Sequence, residues 1–154
     1  MNDYSVELGK NFARIKTELT NPVKELIFII QNTTALGYDY TTDGTNEQLK
    51  NLTLYINGVD RIPTLVGSAL FLRVIQANEF HTRLPDRPIY MYSFCLDPED
   101  TVPNGSINMS RIQNQIFDFN LNSSLYTRTI KLYSLSYNFM EVRGGKGHIL
   151  FPNM

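Results

Sequence analysis

Apolar residues recur at every second position along much of this chain, and that period of two constrains the fold more than any other feature. Ala13, Ile15, Thr17 and Leu19 alternate with Arg14, Lys16 and Glu18, the pattern of a half-buried strand with one wet face. Asn21-Pro22 ends that strand, because proline restricts the residue before it and donates nothing to a ladder. Between Lys24 and Gln31, the run Leu26-Ile27-Phe28-Ile29-Ile30 predicts a strand buried on both faces. Asn32 to Asn46 is polar and punctuated by glycine, hence a loop. Asn51 to Asn57 alternates again, with Leu52, Leu54 and Ile56 inward, and closes on the turn signal Asn57-Gly58.

One segment departs from this period. Ala69, Leu70, Val74 and Ile75 have helical spacing, widened by Phe71 and Leu72, which predicts a short helix over Ser68–Asn78 within a long inter-strand connection. Strand character returns at Ile89–Leu96, Ile107–Ile112, Gln115–Leu121 and Tyr126–Val142. Gly144-Gly145-Lys146-Gly147 is a turn before a last strand, His148–Phe151. About eight strands without helices of crossover length point to an all-β fold. The expected architecture is an eight-stranded antiparallel jelly-roll sandwich with one short helix in a long connection.

A chain of 154 residues is the size of one domain, so residues 1–154 are expected to form a single unit. With 42% apolar and 19% charged residues spread along its length, the chain is globular rather than disordered. Fourteen basic and 15 acidic residues leave a net charge of −1. The small basic clusters Arg83/Arg87 and Arg143/Lys146 do not make the surplus that phosphate binding needs, so nucleic acid is not an expected partner. No signal peptide opens the sequence, and the longest apolar run, Leu26–Ile30, falls far short of the ~20 residues of a membrane helix. A soluble chain made in the cytosol, without membrane insertion, is the expectation.

Few residues invite chemistry. The single cysteine, Cys95, sits in an apolar run and reads as a small buried hydrophobe. His81 and His148 are far apart and form no His-x-His pair, so a cupin-type metal site is disfavoured, and each reads as a hydrogen-bonded structural histidine. Asp97, Glu99 and Asp100 lack the spacing of an EF-hand loop, and Pro98 makes them a rigid turn. Arg143-Gly144-Gly145-Lys146-Gly147 has neither the spacing nor the following helix of a phosphate loop. Five Asn-x-Ser/Thr triplets, at Asn32, Asn51, Asn104, Asn108 and Asn122, carry no weight without a secretory signal. The expectation is no catalytic residue, no metal, no cofactor and no small-molecule substrate. A lectin-like glycan module is the alternative, with Tyr38, Tyr40, Tyr90 and Tyr92 as stacking surfaces, although Tyr90 and Tyr92 fit a buried strand better.

Several stretches resemble a known family. Phe80 through Asp100, including Arg83-Leu84-Pro85-Asp86-Arg87-Pro88-Ile89-Tyr90-Met91-Tyr92-Ser93-Phe94, is similar to a segment of the major capsid proteins of nucleocytoplasmic large DNA viruses. Pro103-Asn104-Gly105-Ser106-Ile107-Asn108-Met109-Ser110-Arg111-Ile112 resembles the family's P-x-G-x-x-N-x-S-R-I run. Asn21 to Phe28, Leu54 to Arg61 and Tyr137 through Gly147 are similar to three more family segments, in family order. The resemblance implies a structural protein that is not an enzyme, present in the virion and in the host cytoplasm during assembly. Family subunits carry two jelly rolls, and three subunits form a pseudo-hexagonal capsomer. Only the second jelly roll is matched here, so the implied partners are further copies, as a trimer, or companion jelly-roll capsid proteins. The resemblance turns the loops Thr33–Asn46 and Asp97–Gly105, with the helical connection, toward neighbours or the exterior.

Overall fold

A computed structural model describes residues 2–33 and 47–149. The strands are β1 (Asn2–Val6), β2 (Phe12–Thr17), β3 (Pro22–Asn32), β4 (Leu49–Ile56), β5 (Val59–Ile62), β6 (Ile89–Ser93), β7 (Ile107–Asn108), β8 (Gln115–Leu121), β9 (Arg128–Ser136), β10 (Met140–Arg143) and β11 (Lys146–Ile149). Between β5 and β6, a π-helical turn (Phe71–Ile75) runs into a short helix, α1 (Gln76–Phe80).

Two antiparallel sheets form the body, ordered β1-β9-β3-β6 and β2-β8-β4-β5, with β7 paired to the start of β3. The pairs β4/β5, β3/β6, β2/β8 and β1/β9 are successive rungs of one long antiparallel hairpin, and consecutive rungs lie in opposite sheets. Rolling that hairpin brings β9 against β3 and β8 against β4. This is the wrapping of a jelly roll. Its eight principal strands agree with the expected fold. The set of strands differs in detail: β1 and β5 are additions, the strand expected over Ile107–Ile112 shortens to β7 before a 3-10 turn at Met109–Arg111, and the strand expected to run on to Val142 breaks after Ser136, leaving a separate hairpin, β10–β11.

The core lies between the sheets. Phe28 and Tyr90 stack at 5.4 Å on one sheet, and Phe119 of the other meets Phe28 edge-on at 5.5 Å. Leu26, Ile30, Ile130 and Leu132 face Leu52, Leu54, Phe117 and Leu121, all buried. A β-bulge between Val23 and Glu25 inserts one residue, so Val23 and Leu26 share the core face although three positions separate them. Alternation then sends Glu25, Ile27 and Ile29 to the other face of β3. Here α1 packs: Gln76 Oε1 accepts the Ser93 amide at 3.0 Å, and Ala77 is fully buried.

The helical stripe faces differently from its spacing. Leu72, Gln76 and Ala77 are buried, while Leu70, Val74 and Ile75 are exposed. The buried residues lie one helical turn apart, so the segment turns inward a different face from the one marked by Ala69, Leu70, Val74 and Ile75. Ser68 starts the segment as expected, its Oγ accepting the Phe71 amide at 3.3 Å.

Candidate functional site

A titratable cluster centres on His81, the residue that ends α1. Its Nε2 lies 2.6 Å from Glu25 Oε1, and its Nδ1 lies 3.4 Å from Glu99 Oε1. Glu25 is buried, and desolvation lifts its carboxyl above the ordinary range, partly opposed by the hydrogen bond from His81. Glu99 goes the other way, because the backbone N–H of Thr82 favours its charged form. The imidazole thus ties the middle of the body to the turn after β6, as expected of a structural histidine. Nothing beside it supplies a nucleophile with a base and an orienting group. Among the described residues, no three His, Cys, Asp or Glu side chains are placed to hold a metal.

The other candidates also resolve into structure. Cys95 is buried. Asp97 Oδ1 accepts the amides of Glu99 and Asp100 at 2.9 and 3.2 Å, which makes the acidic group the rigid turn its proline implied. Gly144 and Gly145, with φ of +60° and +76°, close a two-residue hairpin turn between Arg143 and Lys146. His148 departs from the structural role expected of it: it is exposed on β11, opposite Glu141. Tyr90 is buried and donates its hydroxyl to Glu47, itself paired with Arg73 at 2.8 Å, and Tyr92 packs edge-on against Phe94. Burial pushes the Tyr90 phenol far up, so it stays a neutral donor. The Tyr90 ring is therefore closed to a sugar, Tyr92 is half-buried, and Tyr38 and Tyr40 lie outside the described residues.

Among the described residues, a cleft of about 240 Å³ borders His81 and Glu99, and two roomier ones are a cleft of about 430 Å³ between β1 and β2 and one of about 480 Å³ lined by Asn11, Lys50, Asn51, Asn120 and Asn122. The β1–β2 cleft is lined by charged residues, but Lys10 is committed to Glu7 at 2.7 Å and Arg14 to Asp118 at 2.6 Å. The larger cleft is lined mainly by asparagines around Lys50, so neither converges several free charged groups on a ligand. The uncommitted chemistry is instead on the outer surface. Leu65, Leu70, Val74 and Ile75 are exposed along the helical connection, Leu96 and Val102 on the turn after β6, and Met140, Val142 and Ile149 on the β10–β11 hairpin. Of the loops expected to face outward, Asp97–Gly105 does so, whereas residues 34–46 lie outside the described part.

A family profile, that of the large eukaryotic DNA virus major capsid protein, matches residues 2–147. The chain belongs to that family. The major capsid protein of Phaeocystis pouchetii virus is 33% identical over 104 residues, covering 65% of this chain and 20% of that protein. The major capsid protein of Pyramimonas orientalis virus is 28% identical, covering 92% of this chain and 39% of that protein. The chain therefore spans well under half the length of these relatives. Among solved structures, a chain of the PBCV-1 virus capsid superposes with a TM-score of 0.83 at 18% identity, covering 99% of this chain and 49% of that one. The Faustovirus major capsid protein gives 0.66 at 12% identity, over 87% of this chain and 33% of its own. At such identities the likeness shows the fold, while the profile match shows the family. Family membership makes this a structural protein, not an enzyme.

The glycine turn and a strand after it were expected, but the break between β9 and β10, which makes the hairpin independent, was not. The hairpin's signal was present in Met140-Glu141-Val142-Arg143, which alternates apolar and charged residues up to a Gly-Gly turn.

Proposed function

We propose that these residues form one jelly-roll building block of an icosahedral viral shell, corresponding to the second jelly roll of longer family members. The observation that carries this is a family match over residues 2–147 on a chain whose two sheets complete an eight-strand roll. The unit joins other capsid subunits, as a trimer of itself or beside companion jelly rolls, assembling in the host cytoplasm before residing in the virion. Protein rather than nucleic acid is the partner, because a net charge of −1 gives phosphates little to bind. Contact with protein rather than insertion into lipid is supported by the longest apolar run, Leu26–Ile30, which is committed to the interior strand β3.

Light scattering behind a sizing column, across a range of concentrations, tests this. A trimer or larger closed assembly is expected, formed by the chain alone or on mixing with a companion jelly roll. A chain that keeps its single-copy mass of 17.7 kDa alone and with every companion overturns the reading.

A further inference from the structure

Among the described residues, the β10–β11 hairpin is the one sheet that belongs to neither face of the roll. All eight of its residues are exposed. Its register places Met140 opposite Ile149 and Val142 opposite Gly147, so those four share one face. Glu141, His148, Arg143 and Lys146 share the other. The apolar face is open, with Met140 73%, Val142 68% and Ile149 61% accessible. A lone two-stranded hairpin is marginal in water, so one with an exposed apolar face calls for a covering layer.

A surface on this same chain is complementary to it. In the turn after β6, Leu96 is 79% and Val102 64% accessible, flanked by the exposed carboxylates of Asp97, Glu99 and Asp100. The hairpin tip carries Arg143 and Lys146, which enter no ion pair among the described residues. The two surfaces leave the body side by side. Lys24 Nζ donates to Pro98 O at 2.6 Å, within the acidic turn, and lies 5.4 Å from the ring of Tyr137, which leads into the hairpin. An apolar basic element beside an apolar acidic one, at one end of a molecule, is self-complementary between copies.

We propose that the β10–β11 hairpin is a docking arm that covers the Leu96–Val102 turn of a second copy of this chain. Met140, Val142 and Ile149 pack on Leu96 and Val102. Arg143 and Lys146 reach round the thin ribbon to the carboxylates, as long basic side chains do beside apolar contacts. This rests on the capsid reading and adds the surface and the partner.

The test compares the full-length chain with Val142→Glu, Arg143→Glu, and Arg143→Glu combined with Asp100→Arg. Light scattering gives the association constant, and melting of each variant checks that the roll is intact. The parent is expected to self-associate, with amides of residues 140–149 protected from hydrogen exchange only in the associated form. Val142→Glu should remain at the single-copy mass with an unchanged melting temperature. Arg143→Glu should weaken association about tenfold and the double reversal should recover most of it, since a rim charge contact is worth about that factor. Equal association of Val142→Glu and the parent overturns the arm while leaving self-assembly standing. A parent that associates only with a companion jelly roll overturns the second-copy partner while leaving the capsid reading standing. Binding of the parent to anionic vesicles, lost in Val142→Glu without any self-association, overturns it in favour of a lipid surface.

Discussion

Two hairpins in this chain close on the same kind of turn and have opposite surroundings. Asn57 and Gly58, with φ of +49° and +82°, join β4 to β5, and Gly144 and Gly145 join β10 to β11 with the same left-handed pair of conformations. The first hairpin adds to β8 and buries Leu52, Leu54 and Ile62 against the opposite sheet. The second meets neither sheet, and its apolar side chains face outward. Turn chemistry therefore decides that two strands pair, and the presence of a third neighbour decides whether the pair is core.

The sharpest way to break this comparison is to truncate one apolar residue in each hairpin. Leu54→Ala should cost about 2–5 kcal/mol in denaturant unfolding, because it opens a cavity against Phe117. Val142→Ala should change the stability of the dissociated chain by less than about 0.5 kcal/mol. A comparable loss at both positions would mean that the second hairpin is packed on the roll after all.

A smaller effect comes from the turns. A Cβ on Gly58 or Gly144 would touch nothing within 4 Å, so substitution at either strains only the left-handed backbone. Gly58→Ala should lower global stability by about 1–2 kcal/mol. Gly144→Ala should open β10–β11 locally, seen as faster hydrogen exchange of Val142 and Gly147, with the melting temperature unmoved.

The smallest expected effect depends on pH and belongs to the body alone. Burial holds the Glu25 carboxyl above its ordinary value of 4.5, so the folded chain binds that proton more tightly than the unfolded one. The stability this contributes is fully present below pH 4.5 and is lost as pH rises through the folded value. Glu25→Gln should remove that loss, so its stability relative to the parent should improve as pH rises from 4 to 7, read by denaturant unfolding at each pH. At any one pH, exchange at β10–β11 should be the same in Glu25→Gln as in the parent.

Much of the roll was legible because its strands obey simple alternation. Gln115–Leu121 coincides with β8, and Leu26–Ile30 falls inside the doubly covered β3. The short outer strands were not. Asn2–Val6 carries little apolar signal and is a strand because β9 pairs with it from Arg128 to Leu132. Val59–Ile62, whose first three residues are exposed, is held by the turn before it and by β4. Gly67 shows a constraint that no periodicity reveals: its carbonyl accepts the Leu52 amide at 2.7 Å, and a Cβ there would sit 1.8 Å from Leu52 O. Likewise His81 read correctly as a hydrogen-bonded residue, but its partners, Glu25 and Glu99, lie 56 and 18 positions away in sequence.

The sequence by itself determined the period, the turns, the all-β class and the family resemblance, since each depends on residues within a few positions of one another. The tertiary structure alone decided which strands became neighbours, which side of the helical connection faced inward, and which hairpin was left uncovered. Those outcomes depend on contacts between distant segments, and a local pattern of apolar residues marks a face for burial without saying what will bury it.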